Sequence, residues 1–203
     1  GPRQAATEAA EEFMKDRGLV YMSHNLSPYF SEGMKATSYE IVDVLDDGID
    51  HVVLPVGNGS LLIGMVRGYQ ELFETGIIRR IPKFHGVQAH AVRPVVAALN
   101  GEQWSHDDVQ PTNASGIAVS KPPRLKEMIE AIRVTGGSGV TVSEESLTEW
   151  QTRLASSEGV FAEMTSSGAF AGLAQLIESG VIERDSNVCV PITGSGLKEP
   201  LNK

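Results

Sequence analysis

Apolar residues follow two rhythms along this chain. Val52-Val53-Leu54-Pro55-Val56 is an unbroken apolar run of strand length, the pattern of a strand buried on both faces. It ends in Gly57-Asn58-Gly59-Ser60. Leu61, Leu62, Met65, Val66, Tyr69, Leu72 and Phe73 then recur at helical spacing, predicting a helix that ends near Gly76. Further strands are predicted at 19–22, 84–89, 140–142, 160–162 and 188–192. Further helices are predicted at 5–17, with Phe13 and Met14 on the apolar side, at 37–45 and at 94–99. Leu125, Met128, Ile129 and Ile132 mark another helix, stopped by Gly136-Gly137. Ser143 suits the cap of the next one, with Glu144 and Glu145 in its first turn and Leu147, Trp150 and Leu154 as its buried stripe. The helix over 167–179 is crowded with Gly168, Ala169, Ala171, Gly172 and Ala174, small enough for close packing on a sheet or partner helix.

Strands and helices alternate, which predicts an α/β fold with a mostly parallel sheet and helices on both faces. Three polar stretches interrupt the pattern. Residues 23–33 read as a loop, Asp46-Asp47-Gly48 as a helix end, and 100–122 as a long, polar, poorly patterned segment of a functional or mobile kind, with Asp107-Asp108 a solvated loop in it. Ligands in parallel α/β folds sit beyond the carboxyl ends of the strands. The glycine loops at 57–60 and 193–196 stand at such positions.

A strand, a glycine loop and a helix N-terminus make an anion site. The first-turn N–H groups lack intrahelical partners, the helix dipole favours negative charge, and glycine admits the ligand to the backbone. The loop alone equally suits an ordinary strand-to-helix turn.

The chain has 203 residues and a formal net charge of -9, with 41% hydrophobic and 21% charged residues. That composition buries an ordinary core and argues against nucleic acid or an anionic membrane as main partner. No apolar run reaches spanning length and no signal peptide is visible, so the cytoplasm is the default location. Cys189 is the lone cysteine, inside an apolar run, so a buried, inert thiol is expected and a disulfide framework is excluded. The five histidines, His24, His51, His85, His90 and His106, show no ligand spacing with carboxylates on one face, and no metal site is expected. Gly1-Pro2 without an initiator Met reads as a cleavage scar or a cut inside a longer protein.

Several segments together resemble threonine synthase, of the pyridoxal-phosphate-dependent, tryptophan synthase β-like (fold type II) group. Asn25-Leu26-Ser27-Pro28-Tyr29 with Glu32-Gly33-Met34-Lys35 resembles the family's Asn-Pro-Tyr and Glu-Gly-x-Lys-Thr region. Pro55-Val56-Gly57-Asn58-Gly59 resembles its phosphate loop, and Gly86-Val87-Gln88-Ala89 the strand after the next helix. Glu158-Gly159-Val160-Phe161-Ala162-Glu163 with Ser166-Ser167-Gly168-Ala169, and Thr193-Gly194-Ser195-Gly196-Leu197-Lys198, resemble its later segments in order.

The resemblance covers only the family's C-terminal part. It implies a remnant of the small domain over 1–30 and a large cofactor-phosphate-binding domain over 31–203. It implies that Gly57, Asn58, Gly59 and Ser60 wrap the phosphate of pyridoxal phosphate. Thr193 would face the pyridine nitrogen as a neutral partner that does not force the ring to stay protonated. Two departures stand out: Ser60-Leu61 replaces a second Gly and Asn of the loop, and Met164-Thr165 replaces a Pro-containing step.

The larger departure is the family's Schiff-base lysine, carried in an upstream Ser-x-Lys motif. Lys15, Lys35, Lys83, Lys121, Lys126, Lys198 and Lys203 all lie outside that context, Ser120-Lys121 included. No catalytic residue is therefore assigned. The complete enzyme would convert O-phosphohomoserine to threonine and phosphate. The alternatives are a related lyase or serine/threonine dehydratase, and a fragment or binding module without catalysis. The remnant at the start would need a companion N-terminal polypeptide or a homodimer mate to cover its apolar face.

Overall fold

The computed structural model describes residues 3–45 and 48–198. Four strands, β1 (His51–Pro55), β2 (Lys83–Ala89), β3 (Gly139–Val142) and β4 (Val188–Cys189), form one sheet in the order β3-β2-β1-β4. Every pairing is parallel: His51 aligns with Lys83 and Val188, and Gly86 with Gly139. Seven α-helices accompany it: α1 (Arg3–Asp16), α2 (Pro28–Leu45), α3 (Ser60–Glu74), α4 (Pro94–Asn100), α5 (Leu125–Val134), α6 (Glu144–Glu158) and α7 (Met164–Glu178).

The period of two along β1 sorts its side chains into two cores. Val52 and Leu54 join Leu62, Met65, Met128 and Ile132 on the face covered by α3 and α5. Val53 joins Val87, Leu147, Ala171 and Leu176 on the face covered by α6 and α7. The expected parallel sheet with helices on both faces is thus the fold observed. Small residues set the closest approaches. A Cβ on Gly172 would come within 2.6 Å of Val87 Cγ2, and one on Gly168 within 2.8 Å of Leu147 Cδ2, so α7 lies hard against β2 and α6. Gly64 and Gly68 of α3 do the same for α2, whose Ser38 hydroxyl donates to the Met65 carbonyl at 2.8 Å.

Four local expectations change. Residues 19–22 form no strand; Val20 and Met22 are exposed, because no neighbouring strand is there to pair them. The loop expected over 23–33 ends early, since α2 begins at Pro28, whose fixed φ and missing N–H suit a first helical turn. Arg124 ties that start down by donating to the Ser27 carbonyl at 3.1 Å and to the Ser31 hydroxyl. Residues 160–162 contribute one antiparallel bridge, Ala162 with Ser195, rather than a strand. The last strand stops after Cys189, two residues before Pro191, which has no N–H for a ladder. Asp46-Asp47 and Gly1-Pro2 lie outside the described residues. Cys189 is half-buried, and burial pushes its thiol pKa up.

Candidate functional site

The carboxyl end of β1 delivers the chain into the glycine loop. Val56 still bonds to β2, donating its N–H to the Val87 carbonyl at 2.9 Å. Gly57 then passes so near the next layer that a Cβ would stand 2.7 Å from the Gly116 carbonyl oxygen. Gly59 sits at φ +81° as the residue before α3 and backs onto the Met128 side chain, where a Cβ would lie 2.2 Å from Sδ. Both glycines are therefore required on geometric grounds. No side chain caps α3, so its first-turn N–H groups face outward without an intrahelical acceptor. The Ser60 hydroxyl is buried and has no hydrogen-bond partner.

The turn over Ser115–Ile117 forms the wall behind Gly57. Ile117 is buried in the second core, and Gly116 N–H donates to Thr165 Oγ1 at 3.1 Å. The segment expected to be functional or mobile thus contributes a wall of the cavity. Its contact residues had no periodic signal, because they are held by α7 rather than by an element of their own.

The start of α7 also organises the opposite wall. Glu163 N–H donates to the Gly194 carbonyl at 3.0 Å, and Gly196 N–H to the Phe161 carbonyl at 2.9 Å. This short antiparallel contact holds Thr193 beside Glu163 and Ser166. Thr193 Oγ1 donates to Glu163 Oε1 at 3.0 Å and lies 2.8 Å from Ser166 Oγ. Glu163, 4% exposed, carries an ion pair with Lys198 at 2.5 Å.

One cavity of about 500 Å³ joins the two walls: Gly57, Asn58, Gly59 and Ser60 line it together with Thr193, Glu163 and Gly116. All five sequence-predicted site residues are therefore brought together. The site also takes in Glu163, Thr165 and Gly116, which were not assigned roles.

No lysine lines this cavity among the described residues. Lys121 stands in an adjoining cavity of about 190 Å³, beside Asn58. Lys35 is bound between Glu32 and Glu71, and hydrogen bonds to those two carboxylates, Glu32 first, raise its pKa. That ammonium is held protonated.

An orphaned, buried serine hydroxyl at an uncapped helix N-terminus, entered through two glycines that tolerate no Cβ, fits a phosphate group. A metal is less well served. Among the described residues no group of three or more His, Cys, Asp or Glu side chains could hold one. At the other end of the sheet, His51 Nδ1 meets His85 Nε2 at 2.9 Å, a pairing the sequence spacing did not show. No described helix is long and apolar enough to cross a membrane.

Residues 1–194 match the family described as pyridoxal-phosphate dependent enzyme. Threonine synthase of Methanocaldococcus jannaschii is 34% identical over 201 residues, covering 96% of this chain and 49% of that protein. Threonine synthase of Methanosarcina acetivorans is 35% identical over 184 residues, 89% of this chain and 45% of that protein. The chain spans about half the length of these relatives. Among solved structures, the processed form of threonine deaminase isoform 2 from Solanum lycopersicum superposes with a TM-score of 0.73 at 21% identity, covering 91% of this chain and 51% of that one. O-ureido-L-serine synthase gives 0.74 at 18% identity, covering 96% and 55%. These structures share the tryptophan synthase β-like fold expected from the sequence.

Proposed function

Because this chain belongs to the pyridoxal-phosphate dependent enzyme family, we propose that it is the phosphate-holding part of a threonine-synthase-like enzyme. The observation that carries the reading is the single cavity shared by the 57–60 loop and Thr193, which are far apart in sequence. Gly57, Asn58 and Gly59 offer backbone N–H groups to the cofactor phosphate, and the orphaned Ser60 hydroxyl adds a donor. Glu163 and Ser166 hold Thr193 against the ring nitrogen. Bound there, pyridoxal phosphate supplies an electron sink for carbanions next to an amino-acid nitrogen.

The reaction proposed for the whole enzyme is elimination and replacement on O-phosphohomoserine, giving threonine and phosphate, in the cytoplasm. The likeness to threonine synthases at 34% and 35% identity favours it over a serine/threonine dehydratase. Residues 1–30 belong to the small domain and 31–203 to the large one. A companion polypeptide or a dimer mate covers the exposed Val20 and Met22. A second reading, a phosphate-binding module without catalysis, is favoured by the lack of a cavity-lining lysine among the described residues.

Borohydride reduction of the chain mixed with pyridoxal phosphate, followed by peptide mapping, tests the reading. The expectation is ligand-specific protection of the 57–60 peptide from proteolysis with no single lysine labelled. A unique label on Lys121 or Lys35 would show a different attachment site, and absence of protection would remove the phosphate assignment.

A further inference from the structure

The chain contains two Asn-Gly steps, Asn58-Gly59 in the glycine loop and Asn100-Gly101 at the end of α4. An asparagine side-chain carbonyl carbon and the next residue's backbone nitrogen are one bond short of a five-membered ring. Closure is easiest before glycine, whose missing Cβ leaves that nitrogen unhindered. It is slowed wherever the amide or the nitrogen is already engaged in a hydrogen bond.

The two steps differ in that engagement. Gly101 N–H donates to the Ala98 carbonyl at 3.4 Å, and Asn100 Nδ2 donates to Glu102 Oε1 at 3.0 Å. At the other step, among the described residues, neither the Asn58 side-chain amide nor the Gly59 N–H has a hydrogen-bond partner. Asn58 is half-buried and lines both the cavity of about 500 Å³ and the adjoining one of about 190 Å³. The glycine conformation does not separate the steps: φ is +81° at Gly59 and +72° at Gly101.

We infer that Asn58-Gly59 is a site of spontaneous modification, at which the unliganded chain deamidates and so switches off its own phosphate grip. The Gly59 nitrogen gives its proton to solvent and bonds to Asn58 Cγ. The Cγ–Nδ2 bond breaks, and the amide nitrogen leaves as ammonia with a proton from water. Water then opens the cyclic imide at either carbonyl, giving aspartate or isoaspartate at position 58. The sum is amide plus water to acid plus ammonia, with no change of oxidation state.

The new carboxylate stands next to the first turn of α3, which no side chain caps. Negative charge is favoured there, so the product occupies the place open to a phosphate. Conversely, a phosphate bonded to Gly59 N–H ties up the nitrogen that must attack. The occupied chain is protected and the empty chain is converted. This link to ligand binding rests on the reading of 57–60 as a phosphate loop; the deamidation itself does not.

The test incubates the native chain at mildly alkaline pH in phosphate-free buffer, with and without pyridoxine 5′-phosphate. Peptide mass spectrometry and isoaspartyl methyltransferase labelling then follow both asparagines. Conversion is expected severalfold faster at Asn58 than at Asn100, although Asn100 is the more exposed. Ligand at about ten times its Kd is expected to slow Asn58 about tenfold, as the empty fraction falls, and to leave Asn100 unchanged. An Asn58→Asp variant is expected to keep or raise the urea midpoint and to bind the ligand at least tenfold more weakly. A factor of ten is about 1.4 kcal/mol, less than the repulsion of two like charges a few Å apart near a protein surface.

Equal rates at the two asparagines, or faster conversion at Asn100, would overturn the inference. Undiminished affinity in Asn58→Asp would remove the switch. Selective conversion at Asn58 that the ligand leaves unslowed would overturn the phosphate reading of the loop and keep the modification site.

Discussion

The Gln88 side-chain amide donates 3.1 Å to the carbonyl of Val56, the residue immediately before the glycine loop. Its oxygen meanwhile accepts from Val95 N–H at 2.8 Å and Val96 N–H at 3.1 Å. One fully buried side chain thus pins the exit of β1 to the N-terminus of α4. Gln88→Leu leaves a carbonyl and two N–H groups buried without partners. Each orphaned group costs roughly 1–3 kcal/mol; with partial relaxation, urea unfolding is expected to show a loss of about 2–4 kcal/mol. Phosphate-ligand affinity falls with it, because the loop loses its anchor.

Gly59→Ala strains a φ of +81° and drives a Cβ into the Met128 thioether. The expected loss is about 1–3 kcal/mol. Gly33→Ala, inside α2 where a Cβ meets nothing within 4 Å, is expected to be neutral or to stabilise by up to about 1 kcal/mol. Equal losses at the two positions in a denaturation experiment would contradict the tight fit described for the loop.

Ser60→Ala separates binding from stability. The hydroxyl has no partner in the protein, so removing it leaves unfolding stability unchanged or slightly higher. Affinity for a phosphate-bearing ligand is expected to fall about fivefold, the worth of roughly 1 kcal/mol. Calorimetric titration and urea unfolding on the same samples check both halves.

The His51–His85 pair makes stability depend on pH. Ser138 N–H donates to His85 Nδ1 at 3.2 Å, so His85 Nε2 carries the proton and donates to His51 Nδ1 at 2.9 Å. Both rings are buried and neutral. Burial, with the neighbouring His51 secondary, pushes the His85 pKa down to about 4, and burial lowers that of His51. An unfolded histidine takes up its proton near pH 6.5. The folded pKa is depressed, so the stabilisation is complete above about pH 6.5. It drains away as pH falls toward 4, by roughly 3 kcal/mol for His85. Urea unfolding between pH 7.5 and 4.5 is expected to show this slope, and His85→Gln to flatten it.

Much of this architecture is legible in the chain because its signals are local. The apolar run at 52–56, the two glycines and the stripe from Leu61 to Phe73 define β1, the loop and α3 without tertiary information. Ser143 caps α6 as its side chain predicts, accepting from Ser146 N–H at 3.2 Å. What escaped the sequence depends on distant partners. Val160-Phe161-Ala162 has strand-like residues, yet its ladder contact is one bridge to the 194–196 segment with two hydrogen bonds, and its other bonds go to Leu154 and Gln151 of α6.

The wall at Ser115–Ile117 has no pattern of its own, because Thr165 and the bared backbone of Gly57 hold it in place. His51 and His85 are 34 residues apart and meet only through the parallel register of β1 and β2. Similarly, Thr193 could be named from resemblance, but its hydrogen-bonded contacts with Glu163 and Ser166, 30 and 27 residues away, needed the fold.

The central claim is that Gly57, Asn58, Gly59 and Ser60 grip a phosphate on the same ligand whose ring faces Thr193. Its most direct test is a pair of calorimetric titrations of the native chain at constant ionic strength, with pyridoxine 5′-phosphate and with pyridoxine. Charge-assisted bonds from backbone N–H groups are each worth roughly 1.5–3 kcal/mol, so the phosphorylated compound is expected to bind at least tenfold more tightly. Inorganic phosphate should compete with it. Equal affinities for the two compounds, or binding that inorganic phosphate leaves untouched, would contradict the account.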